Sequence, residues 1–181
     1  MQYGRRRNAT RKARYMPHRE TDPGSTPLSY TGACACGALR YELTRPPMFT
    51  HCCHCTQCRK LTGSAFALNT IIENDSIEIL SGAVVVTSGP SESGRPHDIY
   101  RCASCQTAVW SDYGRRPNYR FVRVGTLDNP NAVKPDVHIF TRSKLAWVVT
   151  PKDQKAFDVF YEVEKEWPPE MLKRREAALK A

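Results

Sequence analysis

The chain has 181 residues, 40% of them hydrophobic and 25% charged, so it can bury one core and global disorder is excluded. No uncharged apolar run approaches the ~18 residues of a spanning helix, which argues against an integral membrane protein. Lys and Arg number 27 against 18 acids, a formal +9, but residues 1–26 alone hold seven of the bases and two of the acids.

That basic segment has few apolar side chains and cannot offset the entropy of its own ordering, so residues 1–27 read as a mobile, solvated tail. A mitochondrial targeting peptide would need a clearer apolar face than Tyr3, Tyr15 and Met16 provide. Phosphate contact with nucleic acid is a further reading, and nucleic acid is not the expected partner. No apolar h-region follows the charges, so a secretory signal is not expected and a cytoplasmic location is.

A Pro/Gly/Ser/Thr-rich linker, Pro23 to Pro27, precedes the body. Leu39, Tyr41 and Leu43 alternate with Arg40 and Glu42, the period of a half-buried strand. Ala65–Ile72, Ser76–Leu80 and Ala83–Thr87 are strand candidates divided by turns. After a polar loop at Ser88–Pro96 come Asp98–Arg101, Ala108–Ser111, Tyr119–Val124, Val137–Thr141 and Leu145–Val149, all rich in β-branched and aromatic residues. The spacing of Ala156, Val159, Phe160 and Val163 predicts a helix over Asp153–Val163. Pro168 and Pro169 can open another over Glu170–Ala181. There is no nucleotide-binding glycine fingerprint and no Ser-His-Asp signature. The organisation is a mainly β domain over 28–150 with a helical extension over 151–181 packed on it.

Eight cysteines fall in three groups: Cys34 and Cys36; Cys52, Cys53, Cys55 and Cys58; Cys102 and Cys105. Cysteines one or two residues apart can turn both sulfurs toward one ion, and disulfides are rare in the reducing compartment expected here, so metal binding is favoured. Cys34 and Cys36 need two more ligands, and Cys102 and Cys105 can supply them. A closed four-thiolate site leaves no place for substrate and reads as structural. In an extended segment Cys53 and Cys55 share a face while Cys52 and His54 take the other. With Cys58 a turn later, Cys53, Cys55 and Cys58 form a three-thiolate set with one open position, the pattern of a catalytic zinc. Cys52 as a fourth ligand is the alternative; otherwise it is a small buried hydrophobe. His54, facing away from Cys53 and Cys55, reads as a hydrogen-bonded side chain.

The stretch Gly32-Ala-Cys34-Ala-Cys36-Gly37-Ala-Leu-Arg40-Tyr41 resembles the opening of the glutathione-dependent formaldehyde-activating enzyme family, also called the centromere protein V family. Cys53-His-Cys55-Thr-Gln-Cys58-Arg59-Lys60 with Gly63-Ser64-Ala65-Phe66 is similar to its second signature, and Cys102-Ala-Ser-Cys105 through Trp110 to its third. Val124–Asp128 and His138–Trp147 resemble its closing motifs. The resemblance implies small antiparallel sheets leaning together over zinc, a β-tent with C-terminal helical segments. It implies two zinc ions: a structural one on Cys34, Cys36, Cys102 and Cys105, and a catalytic one on Cys53, Cys55 and Cys58. It also implies glutathione as co-substrate, with an aldehyde or thioether partner and a carbon–sulfur lyase reaction. Gln106 stands where the family often has Gly, Cys52 is an extra thiol, and the basic tail is not part of the domain.

Arg59 and Lys60 could hold a glutathione carboxylate, and Gly63 and Ser64 could allow close backbone approach to it. The competing readings are solvated charge and an ordinary turn. Trp110 and Trp147 are expected in the core, His138 as a packed or edge histidine, and Asp128 at a turn. The alternative function is a non-enzymatic zinc module whose basic tail contacts nucleic acid or a protein partner. A homo-oligomer is left open.

Overall fold

A computed structural model describes residues 30–91 and 94–180; the basic segment 1–27 lies outside the described residues. Among the described residues, the short alternating runs of the sequence pair into two sheets. Three strands, β1 (Tyr30–Ala33), β2 (Arg40–Leu43) and β5 (Ile77–Ser81), form one antiparallel sheet in the order β1-β2-β5. The other has eight strands: β3 (Phe49–Cys53), β4 (Ala67–Glu73), β6 (Val84–Gly89), β7 (His97–Cys102), β8 (Ala108–Tyr113), β9 (Tyr119–Arg123), β10 (Val137–Ile139) and β11 (Lys155–Ala156). Its order is β11-β10-β3-β4-β9-β8-β7-β6, antiparallel except where β10 runs parallel to β3 and β11. The helices are α1 (Thr56–Thr62), α2 (Val163–Glu166) and α3 (Pro169–Lys180). The fold is mainly β, with its longest helix at the C-terminus.

Two buried clusters divide the interior. One gathers Leu39, Tyr41, Ile72, Trp110 and Val122 around Cys34 and Cys102. Within it Trp110 meets Tyr41 edge-on at 5.3 Å, so Trp110 is a core aromatic as expected. The other gathers Phe49, Ile71, Ile139, Tyr161 and Trp167 around Cys53, Cys55 and Cys58.

Three expectations are corrected. Asp153–Val163 is not a helix: it holds the short strand β11, then a bent segment hydrogen-bonded to β10 and its continuation, and α2 opens only at Val163. The backbone groups a helix would have satisfied internally instead meet that strand and its continuation, as Phe157 N donates to His138 O at 2.9 Å and Phe140 N to Val159 O at 2.8 Å. Leu145–Val149 is a turn segment rather than a strand, closed by Val148 N donating to Leu145 O. Trp147 is therefore 72% exposed and not part of the core. The C-terminal helix forms as the sequence predicts. It is fastened by Arg174, whose guanidinium donates to both oxygens of the buried Glu73 carboxylate at 2.8 and 2.6 Å.

Candidate active site and metal centres

Cys34 and Cys36 sit in the turn between β1 and β2; Cys102 is the last residue of β7, and Cys105 sits in the turn that leads to β8. Each turn is tied by backbone bonds: Gly37 N donates to Cys34 O and Gln106 N to Cys102 O, both at 3.0 Å. The fold brings the two turns together, and all four sulfurs lie within 4.8 Å of one another. Zinc with bonds of ~2.3 Å wants sulfurs about 3.8 Å apart around a tetrahedron, so the set fits that ion. Cys34 and Cys36 stand 3.4 Å apart, far beyond a disulfide bond of ~2.05 Å. The Leu39 N–H points at Cys34 Sγ at 3.3 Å, and the Thr107 hydroxyl beside Cys105 helps pull that thiol down to about 5. Both features favour the thiolate form that a metal needs.

Gln106 has φ 61°, the left-handed region where a side chain is strained. Its amide donates to Ala103 O at 3.2 Å, a local bond that helps hold a turn in which Gly would fit without strain.

The second centre starts at the end of β3. Cys53 is its last residue, Cys55 caps α1, and Cys58 lies in the first turn of that helix. All three are buried, and their sulfurs lie within 4.8 Å of one another. Cys58 N donates to Cys55 Sγ at 3.2 Å, so the cap itself fixes one sulfur. The Cys53 and Cys55 thiols pull Cys58 down to about 3, and the Tyr113 hydroxyl at 3.7 Å and the Arg123 guanidinium assist. Cys53 is pushed up in turn by Cys55 and Cys58, and by burial. These three donors also fit zinc, and among the described residues no further Cys, His, Asp or Glu joins them.

Residues distant in the sequence complete the surroundings. Tyr113 stacks on His97 with ring centres 4.0 Å apart, and burial, then the charge on Cys58, pushes its phenol up. Arg123 is buried and donates to Asn69 Oδ1 at 2.5 Å, across the β4–β9 pairing. His51 lies two residues before Cys53, on the same face of β3. Its Nε2 is 2.5 Å from the Tyr161 hydroxyl, which accepts from Trp167 Nε1–H at 2.8 Å. Burial pushes His51 down to about 3, so Tyr161 donates to a neutral imidazole.

A cavity of about 700 Å³ opens over the three cysteines. Tyr113, Asn69 and Phe121 line it near the thiols, and Phe140, Phe160, Tyr161 and Trp167 contribute an aromatic wall. Arg95, Arg116, Arg142 and Arg175 also line it, from different parts of the chain. None of Cys34, Cys36, Cys102 and Cys105 lines it.

The other face of β3 carries a separate chain of groups. His54 Nε2 and His138 Nδ1 are 2.9 Å apart, and His138 Nε2 is 2.6 Å from Gln154 Oε1. The Gln154 carbonyl can only accept, so His138 holds its proton on Nε2 and His54 donates to Nδ1. The two rings lie within 16° of coplanar, with centres 5.2 Å apart. Nitrogens aimed at each other over 2.9 Å are hydrogen-bonded, since two nitrogens on one zinc would stand about 3.3 Å apart. Cys52 Sγ approaches His54 Nε2 at 3.6 Å, and burial pushes its thiol up to about 12. Cys52 is thus a neutral buried side chain beside a histidine pair.

The structure brings the seven cysteines into the two sets expected. It does not bring Arg59, Lys60, Gly63 or Ser64 to the cavity. Gly63 has φ 62° and ends α1, and a Cβ built there meets nothing within 4 Å, so its role is the left-handed cap. Of the site residues the sequence did not single out, His51 was reachable through its alternation with Cys53. Tyr113, Arg123, Tyr161 and Trp167 arrive by long-range pairing and left no local signal.

A family model described as glutathione-dependent formaldehyde-activating enzyme matches residues 29–143. Among solved structures, the chain is similar to a crystal structure of a Rhodobacter sphaeroides protein. The two are 21% identical with a TM-score of 0.42, over 58% of this chain and 91% of that one.

Proposed function

Because the chain belongs to the glutathione-dependent formaldehyde-activating enzyme family, we propose that it makes or breaks a carbon–sulfur bond on glutathione or a related thiol adduct. The observation that carries this reading is the opening of three buried, clustered cysteine sulfurs into a cavity that also presents four arginines. In the forward direction the thiol sulfur adds to the carbonyl carbon of an aldehyde, a carbon–sulfur bond forms, and the thiol proton ends on the carbonyl oxygen. The reverse releases thiol and aldehyde. No electrons are gained or lost.

We assign Cys53, Cys55 and Cys58 as holders of a catalytic zinc, and Cys34, Cys36, Cys102 and Cys105 as holders of a structural one. At the catalytic position zinc would supply the charge that keeps a fourth thiol deprotonated at neutral pH. Three thiolates and one Zn²⁺ carry a net −1, and the buried Arg123 offsets that charge. The Tyr113 hydroxyl, protonated and directed at the cluster, is placed to donate to the oxygen that becomes the alkoxide. Arg95, Arg116, Arg142 and Arg175 offer partners for the two carboxylates of glutathione.

The test is nuclear magnetic resonance of formaldehyde and glutathione with zinc-loaded protein. Formation of S-hydroxymethylglutathione faster than the spontaneous reaction, lost in Cys55→Ser, supports the reading. A rate equal to the spontaneous one, with neither glutathione nor its adducts binding, overturns it.

A further inference from the structure

We propose that this cavity selects glutathione adducts bearing a bulky apolar group on sulfur, an aromatic group above all, over the one-carbon adduct. The inference rests on the glutathione reading above and narrows its substrate class.

A hydroxymethyl group is one carbon and one hydroxyl, and it has no use for an extended apolar surface. The cavity is nonetheless walled by Phe140, Phe160, Tyr161 and Trp167. Its volume, about 700 Å³, is in the middle of the ~300–1,000 Å³ that accommodates drug-sized ligands. Phe160 is 49% exposed and stacks on Tyr161 with ring centres 4.6 Å apart. A large apolar face held open beside a reactive centre is what an apolar group on the substrate would cover.

The wall is also fixed in place. Backbone bonds from Phe140 N to Val159 O and from Thr141 N to Phe157 O, at 2.8 and 3.1 Å, tie the segment to the end of β10. Tyr161 is held by His51 and Trp167, and Trp167 stacks on Phe49 at 5.0 Å. Side chains so held lose little freedom when a ligand arrives, which favours affinity. Apart from Phe140, these wall residues lie beyond residues 29–143, the stretch shared with the family model. The thiols thus lie within the stretch matched by the family model, and most of the wall in the segment that follows it.

The experiment is calorimetric titration of the zinc-loaded full chain with glutathione, S-methylglutathione and S-benzylglutathione. Neither thioether has a free thiol, so their comparison isolates the substituent. S-benzylglutathione is expected to bind about ten- to a hundred-fold more tightly than S-methylglutathione, the factor that burial of one aromatic group supports. Phe160→Ala, which truncates a half-exposed ring of the wall, is expected to remove most of that difference by weakening S-benzylglutathione far more than S-methylglutathione. Affinities within twofold of each other, or an equal loss for both ligands in Phe160→Ala, would overturn the inference and leave the glutathione reading standing. Absence of binding by all three ligands would overturn both.

Discussion

Cys52 and Cys53 are adjacent in the chain, yet their sulfurs belong to clusters on opposite faces of β3: Cys53 joins Cys55 and Cys58, and Cys52 joins His54 and His138. The alternation of an extended strand separates them. Cys52→Ala removes no ligand of the proposed centres and little volume, so zinc content is expected to stay at two per chain. Cys53→Ala is expected to lower it to one. Metal analysis of the two purified variants decides the matter, and the reverse pattern would mean that the facing is wrong.

The two cysteine sets should fail differently. Cys102→Ser opens a site that pins two distant turns beside the core of Tyr41 and Trp110, so the main losses expected are melting temperature and soluble yield. Cys55→Ser should keep the fold and abolish thiol-dependent turnover. Thermal denaturation measured beside activity separates the two, and equal unfolding by both variants would make the second centre structural as well.

Tyr113→Phe keeps the ring stacked on His97 and removes only the hydroxyl beside Cys58. A fall in turnover of roughly 10²-fold or more is expected if that hydroxyl moves the proton, with zinc content and melting temperature nearly unchanged. Full activity in this variant would remove Tyr113 from the chemistry.

His97 is fully buried, neither ring nitrogen has a partner among the described residues, and burial lowers its pKa to about 4. An unfolded histidine titrates near 6.5. Between those values the unfolded chain takes up a proton that the folded one refuses, so this group removes stability as pH falls from about 6.5 to about 4, by up to ~1.4 kcal/mol per pH unit. His97→Phe lacks that dependence. Denaturant unfolding of both proteins across the window should show the variant gaining on the wild type toward acid, whereas a constant difference would contradict the assignment.

The cysteine sets were legible because metal spacing is local: two thiols one or two residues apart announce themselves, and strand alternation sorts Cys52 from Cys53. The strands containing Tyr41 and Ile99 are legible for a similar reason, since burial alternates along them, whereas β9, buried on both faces, is legible from its β-branched and aromatic residues. The segment Asp153–Val163 misled because Ala156, Val159, Phe160 and Val163 have helical spacing. In the structure the edge of β10 claims its backbone hydrogen bonds, and Val159, Phe160 and Val163 line the cavity. Arg59 and Lys60 drew attention by standing next to a ligand, but the helix that places Cys58 keeps them from the cavity. The arginines that do reach it are scattered from Arg95 to Arg175, and no window of sequence holds them together.

The chain is made from its N-terminus, and the order of its parts along that direction matters. The last clustered thiol is Cys105, whereas the aromatic wall runs from Phe140 to Trp167 and is backed by α3, which ends at Lys180. Every sulfur donor is therefore synthesised before any wall residue exists. The cysteines of both sets thus precede the residues that wall the cavity above one of them. The chamber takes shape only when the final forty or so residues, counted from the sequence, dock against β10 and Glu73. Any metal held by the seven sulfurs would therefore have all of its donors from this chain before the wall of the cavity is made.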